Sequence, residues 1–366
     1  MYGPFDATYA RLSQALAVKL DGAFVSCRNA AMNDRPTTTL DQVARAAGVS
    51  PSTVSRILNG TARVSEAKRR SVEEAIAALD YRPNVLAQGL ARGRSLTIGV
   101  LTQDIASPFY SESLKGIEEA LAGTGYAPLF VSGHWDAEEE ARKVALLVDR
   151  RVDGVIVLTG MIPDDALIAT AERVPVAVTG RTLNAPRLIA IDLDHEAGAY
   201  AATRYLIDLG HTRIVHLAGV QGHADARARL AGYRRALAEA GIAEDPALIV
   251  DGQFNENGGL DAVNALLDHR VSFTAIFAAN DQSAVGARLA LYRRGLRVPD
   301  DVSLVGFDDL PGSLYTTPPL TTVRQPAYEL GRLTARVLLH LIDNRPLPAL
   351  DLPMSLIVRD SAGEPA

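Results

Sequence analysis

The stretch TTLDQVARAAGVSPSTVSRILNG, residues 38–60, sets the reading of everything around it. Thr39 stands where a helix N-cap belongs, and Gln42 three residues later completes a capping-box pattern. Leu40, Val43, Ala44 and Ala47 then recur at i, i+3, i+4 and i+7, which gives one apolar face. Gly48 predicts the end of that helix. Ser50 predicts the cap of the next, with Pro51 in its first turn, where no N–H is needed. On this second helix Val54, Ile57 and Leu58 make one narrow apolar stripe, while Pro51, Ser52, Ser55, Arg56 and Asn59 fall opposite. A third amphipathic segment, SEAKRRSVEEAIAALD (65–80), buries Val72, Ala75, Ile76 and Leu79. Three short helices with a tight glycine turn between the first two predict a helix-turn-helix. Small polar residues let such a helix enter the major groove, where Ser, Thr and Asn bond base edges or phosphates. Arg56 can hold a phosphate or pair bidentately with guanine. A small helical domain that binds protein is the competing reading.

The bulk numbers agree with a DNA reader carried on a larger body. The chain has 366 residues, long enough for two or three domains with buried cores. Its formal charge of −6 hides an asymmetry. Residues 37–94 hold nine Lys and Arg against five Asp and Glu, leaving 28 against 38 elsewhere. A basic module on an acidic body points to a polyanion met by the module alone. The single cysteine, Cys27, excludes a disulfide framework and a cysteine metal site, and predicts a reducing cytoplasm. No apolar run reaches membrane-spanning length. The segment ARLSQALAVKLDGAFVSCRNAA (10–31) is broken by Lys19 and Asp21 and lacks a basic start, so it is not read as a secretion signal.

The continuation VSEAKRRSVEEAIAALDYRPNVLAQGLARGRSLTIGV, residues 64–100, carries a specific resemblance when taken with the opening stretch. Together they resemble the LacI/GalR family of bacterial transcription regulators, and the resemblance extends from about residue 37 to 359. It implies DNA contacts by Thr39, Pro51, Ser52, Thr53, Ser55, Arg56 and Asn59. It also implies a hinge helix from Asn84 to Ala91 in which Asn84, Ala87 and Leu90 meet DNA, with Leu90 wedged into the minor groove. Physical chemistry fits that implication. A helix of about eight residues is unstable alone, because nucleation is unfavourable. Gly89 weakens it by roughly another 1 kcal/mol relative to alanine. Such a segment is expected to order only when DNA and a partner hinge hold it, and an apolar wedge would kink the duplex.

From Ser95 onward short β-rich runs alternate with longer amphipathic ones: LTIGVLT, GVIVLTG, VPVAVTG, RIVHLAG, TAIFAAN and VSLVGFDD. Continuous apolar strands between helices predict parallel sheets covered on both faces. About eleven such runs exceed one compact sheet, so the α/β body is read as two doubly wound lobes, as in the periplasmic-binding-protein-like core that the resemblance implies. The expected organisation is an extension over 1–36, a helix-turn-helix domain over 37–83, a hinge and linker over 84–94, and a core over 95–366. Within the core, lobe 1 is expected at about 95–192 and 322–346, and lobe 2 at about 193–321 and 347–360. The sequence MNDRPTTTL makes Met32 a suitable start for the DNA reader, so residues 1–31 are expected to be dispensable.

Ligands of open α/β sheets sit beyond the carboxyl ends of the strands. Those ends offer Phe109 and Tyr110, then His134 and Trp135, then His223, Asp225 and Arg229, followed by Phe254, Asn280 and Asp308. By the family resemblance Arg229, Phe254, Asn280 and Asp308 match effector-binding positions. A sugar would use such a set, since an aromatic face stacks on C–H bonds while Asp and Arg grip vicinal hydroxyls. Asp281 reads instead as the cap of its helix, Phe254 has a core alternative, and His134 a solvated-loop alternative. At Gly180, in VTGRT, many relatives place Asp, so one hydroxyl acceptor is lost from lobe 1.

Rival functions find less support. Neither G-x-x-x-x-G-K-[ST] nor G-x-G-x-x-G occurs after a strand, and no Ser-His-Asp set or metal spacing stands out. A transport-type sugar-binding protein would need export and would not carry a DNA reader. The reading is therefore a non-enzymatic, cytoplasmic homodimer that joins the nucleoid when bound to a pseudo-palindromic operator. Repression is the expected sign, no cofactor is needed, and no membrane is met. A sugar is the favoured effector, and a nucleobase is the alternative.

Overall fold

The computed structural model describes residues 38–58, 64–81 and 93–365, which form a small unit up to residue 81 and a larger one from residue 93. The expectations placed on residues 1–31, Asn59, Asn84, Ala87 and Leu90 lie outside the described residues.

The small unit holds α1 (Leu40–Ala46), α2 (Pro51–Leu58) and α3 (Glu66–Ala78). Both halves of the capping box are present: Gln42 N–H donates to Thr39 Oγ1, and Thr39 N–H donates to the Gln42 side chain at 2.7 Å. Gly48 sits at φ 66°, a left-handed value that glycine adopts without a Cβ penalty, and Val49 N–H closes the turn on the Ala44 carbonyl at 3.0 Å. Ser50 Oγ then accepts from Thr53 N–H at 3.2 Å and starts α2. Val43, Ala44, Ala47, Val54, Ile57, Val72 and Ala75 meet as one core, with Leu40, Leu58, Ile76 and Leu79 around it. The apolar spacing in the sequence thus becomes the core of this unit. Two hydroxyl contacts lock the helix ends together: Thr38 onto the Leu79 carbonyl at 3.0 Å and Ser71 onto the Ala47 carbonyl at 3.1 Å.

The larger unit has two six-stranded sheets. The first holds β1 (Thr97–Thr102), β2 (Ala127–Ser132), β3 (Gly154–Val157), β4 (Val176–Thr179), β5 (Asn184–Ala185) and β6 (Leu188–Ile191), in the order β2-β1-β3-β4-β6-β5. The second holds β7 (Ile214–Ala218), β8 (Ile249–Asp251), β9 (Ala275–Ala278), β10 (Ser303–Asp308), β11 (Thr321–Arg324) and β12 (Ser355–Ile357), in the order β8-β7-β9-β10-β11-β12. Pairing is parallel except at one edge of each sheet, β5 on β6 and β12 on β11. Each sheet is buried between helices, which is why its strands read as unbroken apolar runs.

The chain passes between lobes at residues 192–194 and 325–326, and again between 343 and 354. Because β11 pairs with β10, residues 322–324 lie in lobe 2, so the return to lobe 1 falls at 325 rather than 322. The first passage leads into α7 (His195–Asp208) and the second into α11 (Ala327–Ile342). Helix α11 packs on α4 (Pro108–Leu121), and their backbones approach closely through two glycines. A methyl group at Gly116 would collide with the Tyr328 carbonyl oxygen, and one at Gly331 with that of Ser113. That close pairing seats the second piece of lobe 1 firmly against the first.

Candidate functional site

Two surfaces carry chemistry: one on α2 of the small unit, the other between the lobes of the larger unit. On α2, Pro51, Ser52 and Arg56 are exposed while Thr53 and Ser55 are half-buried. Ser50, Ser52 and Thr53 share hydroxyl hydrogen bonds of 2.8–2.9 Å, and Arg56 Nε reaches back to the Ser52 carbonyl at 3.3 Å. Thr39 is exposed at the start of α1, with its hydroxyl engaged by the cap.

The cleft of the larger unit encloses about 290 Å³. All ten side chains selected from strand ends, Phe109, Tyr110, His134, Trp135, His223, Asp225, Arg229, Phe254, Asn280 and Asp308, line it. The two lobes build one feature in the same way. After β2 and after β8 the chain runs Gly133-His134-Trp135-Asp136 and Gly252-Gln253-Phe254-Asn255. The second and third residues of each run are left-handed, and the fourth caps a helix. Each turn delivers an aromatic ring into the cleft. Trp135 and Phe254 meet there with centroids 6.2 Å apart, and His223 lies edge-on to Trp135 at 4.7 Å. Phe254 is therefore a half-buried cleft residue and not core. Gly219 makes room for it, since a Cβ there would strike the ring.

Arg229 is the hub of the polar floor. It projects from α8 (Ala224–Glu239) and is 4 % exposed. Nη1 donates to the Ala279 carbonyl and lies 3.9 Å from the Asp308 carboxylate. Nη2 donates to Gln325 Oε1 at 3.2 Å and stands 3.4 Å from His195 Nδ1. The guanidinium also lies 3.9 Å from the centroid of the Phe307 ring. His195 and Gln325 sit at the first and second passages between lobes, so one cation touches both crossings and the ligand space. An arginine only donates, so His195 Nδ1 accepts and its proton sits on Nε2, which faces Asp225 Oδ2 at 3.4 Å.

Burial dominates the electrostatics. It pushes the Asp225 carboxyl up to about 7, against the pull of Arg229. It pushes Asp308 well above the ordinary carboxylate range, again opposed by Arg229. Burial and then Arg229 hold His195 well below its ordinary value, and the same two causes bring His223 down to about 3. Both imidazoles are neutral at physiological pH.

Two readings need correction. Asp281 does not cap α10 (Asp281–Arg293); Asn280, extended at φ −152°, accepts from Ser283 N–H and does so. Asp281 instead accepts from Leu310 N–H and from the Ser313 and Thr322 hydroxyls, pinning the turn after β10. Asn280 Nδ2 donates to the Phe254 carbonyl, so this side chain shapes the cleft while its amide is already committed. At Gly180 the acceptor is not simply lost. The residue stands at φ 72°, a Cβ there would collide with Thr159 Cγ2, and Asp225 Oδ1 lies 3.1 Å from that position. A carboxylate reaches the spot from the opposite lobe.

The cleft also has members the strand-end list omitted: Gln103, Ser107, Thr159, Gln282 and Gln325. Gln103 lies at the end of β1 and was within reach of the same rule. Ser107 Oγ donates to Gln282 Oε1 at 2.9 Å, a hydrogen bond across the cleft mouth from lobe 1 to lobe 2. Among the described residues no helix is long and apolar enough to cross a membrane.

Comparison with known proteins finds relatives for both units. Residues 39–84 match the model for bacterial regulatory proteins of the lacI family, and residues 203–362 match a periplasmic binding protein-like domain. The transcriptional regulator GalR of Escherichia coli is 38 % identical over 331 residues, covering 90 % of this chain and 96 % of that protein. The ribose operon repressor of Escherichia coli is also 38 % identical, covering 88 % and 98 %. The lac repressor dimer bound to operator and the anti-inducer ONPF superposes with a TM-score of 0.79 at 33 % identity, covering 89 % of this chain and 99 % of that one. A LacI family regulator from Enterococcus faecium with bound ribose gives 0.66 at 30 % identity over 73 % and 98 %. The chain is a DNA-binding transcriptional regulator rather than an enzyme, and it belongs to the LacI family.

Proposed function

We propose that this regulator is a cytoplasmic homodimer that represses from a pseudo-palindromic operator, under control of a sugar held between its two lobes. The convergence of ten aromatic and hydrogen-bonding side chains on one cleft, with Arg229 also touching both passages between lobes, carries this reading. Names of relatives point the same way, since one governs a ribose operon and another holds ribose. Trp135 and Phe254 offer faces for the C–H surface of a ring, and Asp308 and Asp225 offer acceptors for hydroxyls. A ligand shifts such a dimer only by binding its DNA-competent and DNA-incompetent lobe geometries differently. An acceptor that meets the sugar in one geometry alone supplies that difference.

The test is a thermal-shift screen of the full chain against free sugars and purines, followed by Asp308→Asn. The variant is expected to fold, to keep its effector-free DNA affinity, and to need at least tenfold more sugar for the same response. An unchanged response, or a purine as sole hit, would remove the reading. On DNA, we assign Thr39, Pro51, Ser52, Thr53, Ser55 and Arg56 to the groove-facing side. Arg56→Ala is expected to weaken operator binding by roughly 1–3 kcal/mol per half-site if it pairs with a base. A gel-shift titration at fixed salt that shows no loss would place Arg56 off the DNA.

A further inference from the structure

Resting on the reading of the cleft as a sugar site, we infer that it takes a free, uncharged sugar of a single ring and excludes phosphorylated and carboxylated sugars. The inference stands on which charges line the cleft and what each is already doing. Among the described lining residues Arg229 is the one arginine or lysine. Its Nη atoms serve Ala279, Gln325 and His195, and its charge is shared with Asp308 at 3.9 Å. Among the described residues its Nε–H has no partner, so a hydroxyl can be met there without breaking that set, whereas a phosphate would compete with Asp308 for the one counter-charge.

Other cations nearby are spent elsewhere. Arg181 donates to the Ile162 and Gly160 carbonyls and pairs with Asp164 at 2.7 Å, and Arg227 is turned onto the Gly222 carbonyl. Neither lines the cleft. His223 is neutral, and His134 stands exposed at the mouth. Opposite these, three carboxyls line the space: Asp104, Asp225 and Asp308.

Of the helix starts on the cleft, that of α4 at Ser107 has no side-chain cap, while the others are already answered. The cleft ends of α9 (Glu256–Asp268) and α10 are capped by Asn255 and Asn280, and Asp225 occupies the first turn of α8. A sugar without charge asks for acceptors and a ring face, and those are what remain. Size gives the second half of the inference. About 290 Å³ falls at the lower limit of ligand pockets, roughly 300–1,000 Å³, and the Ser107–Gln282 bond ties the two lobes together across that space.

The experiment is calorimetry on the full chain with free aldopentoses, aldohexoses and ketohexoses, their phosphate esters and uronic acids, and cellobiose. A free monosaccharide is expected to bind, with its phosphate ester, its acid and cellobiose each at least 100-fold weaker. In Asp308→Asn, where the carboxyl that competes for Arg229 is gone, the ratio between free sugar and ester should narrow about tenfold, a readout that does not depend on absolute affinity. An ester, an acid or cellobiose that matches the free monosaccharide would overturn this inference and leave the sugar reading standing. Binding by none of these compounds would overturn both.

Discussion

Arg229→Met is expected to leave a folded core that is destabilised by about 3–5 kcal/mol at pH 8 and no longer responds to effector. Methionine keeps most of the stem but removes the charge and every donor. The Ala279 carbonyl, Gln325 and His195 each lose a partner, and the contact with the Phe307 ring loses its cation. The larger share comes from Asp308, which is 5 % exposed and would be left buried without its counter-charge. Such a carboxyl escapes by taking a proton, so the loss should shrink as pH falls from 8 to 5 through the raised range in which burial makes Asp308 titrate. Urea denaturation at both pH values measures this. A double variant with Asp308→Asn should recover part of the stability at pH 8, because it removes the orphaned charge. A loss below 1 kcal/mol that ignores pH would mean that Arg229 is not the electrostatic centre of the cleft.

How far this site could be read in the sequence depends on how local its cause is. The capping box at Thr39 and Gln42, the turn at Gly48 and the apolar spacing of α1 to α3 are set by residues within a few positions of one another. They were legible for that reason. Strand ends were legible too, because a parallel sheet sends ligands to one edge and each strand announces its end by a change to polar residues. His195 and Gln325 were not. They gain their roles because two passages of the chain, 130 residues apart in sequence, converge on Arg229, and no spacing encodes that meeting. The exchange of duties between Asn280 and Asp281 has a different origin. Either residue type caps a helix, and the choice rests on where β9 releases the chain, which packing decides by a single residue. Gly180 shows the limit of reading one lobe at a time, since the carboxylate beside it comes from Asp225 in the other.

Asp225→Asn is expected to stabilise the protein at pH 8 by about 1–3 kcal/mol and to leave it unchanged near pH 4. Burial lifts the folded carboxyl to about 7, whereas an unfolded aspartate titrates at about 3.9. The native chain therefore keeps this proton after the unfolded chain has released it. Between about pH 4 and 7 the native state binds more protons, so stability falls as pH rises through that window and levels off above it. The full gap corresponds to about 4 kcal/mol, an upper value because relaxation around an ionised group recovers part of it. Asparagine cannot ionise, and its carbonyl can still accept from His195 Nε2. The difference in unfolding free energy between variant and parent should accordingly grow from pH 4 to pH 8, which isolates Asp225 from Asp308 and Asp281, whose own titrations are common to both proteins. A difference that stays level across that range would mean that Asp225 is ionised at low pH in the native state. A group that weakens the fold whenever it is charged is retained for what the charge does, and in this cleft it faces the space where a hydroxylated ligand fits. The same substitution should then weaken effector binding while it strengthens the fold, opposite signs that a purely structural aspartate would not give.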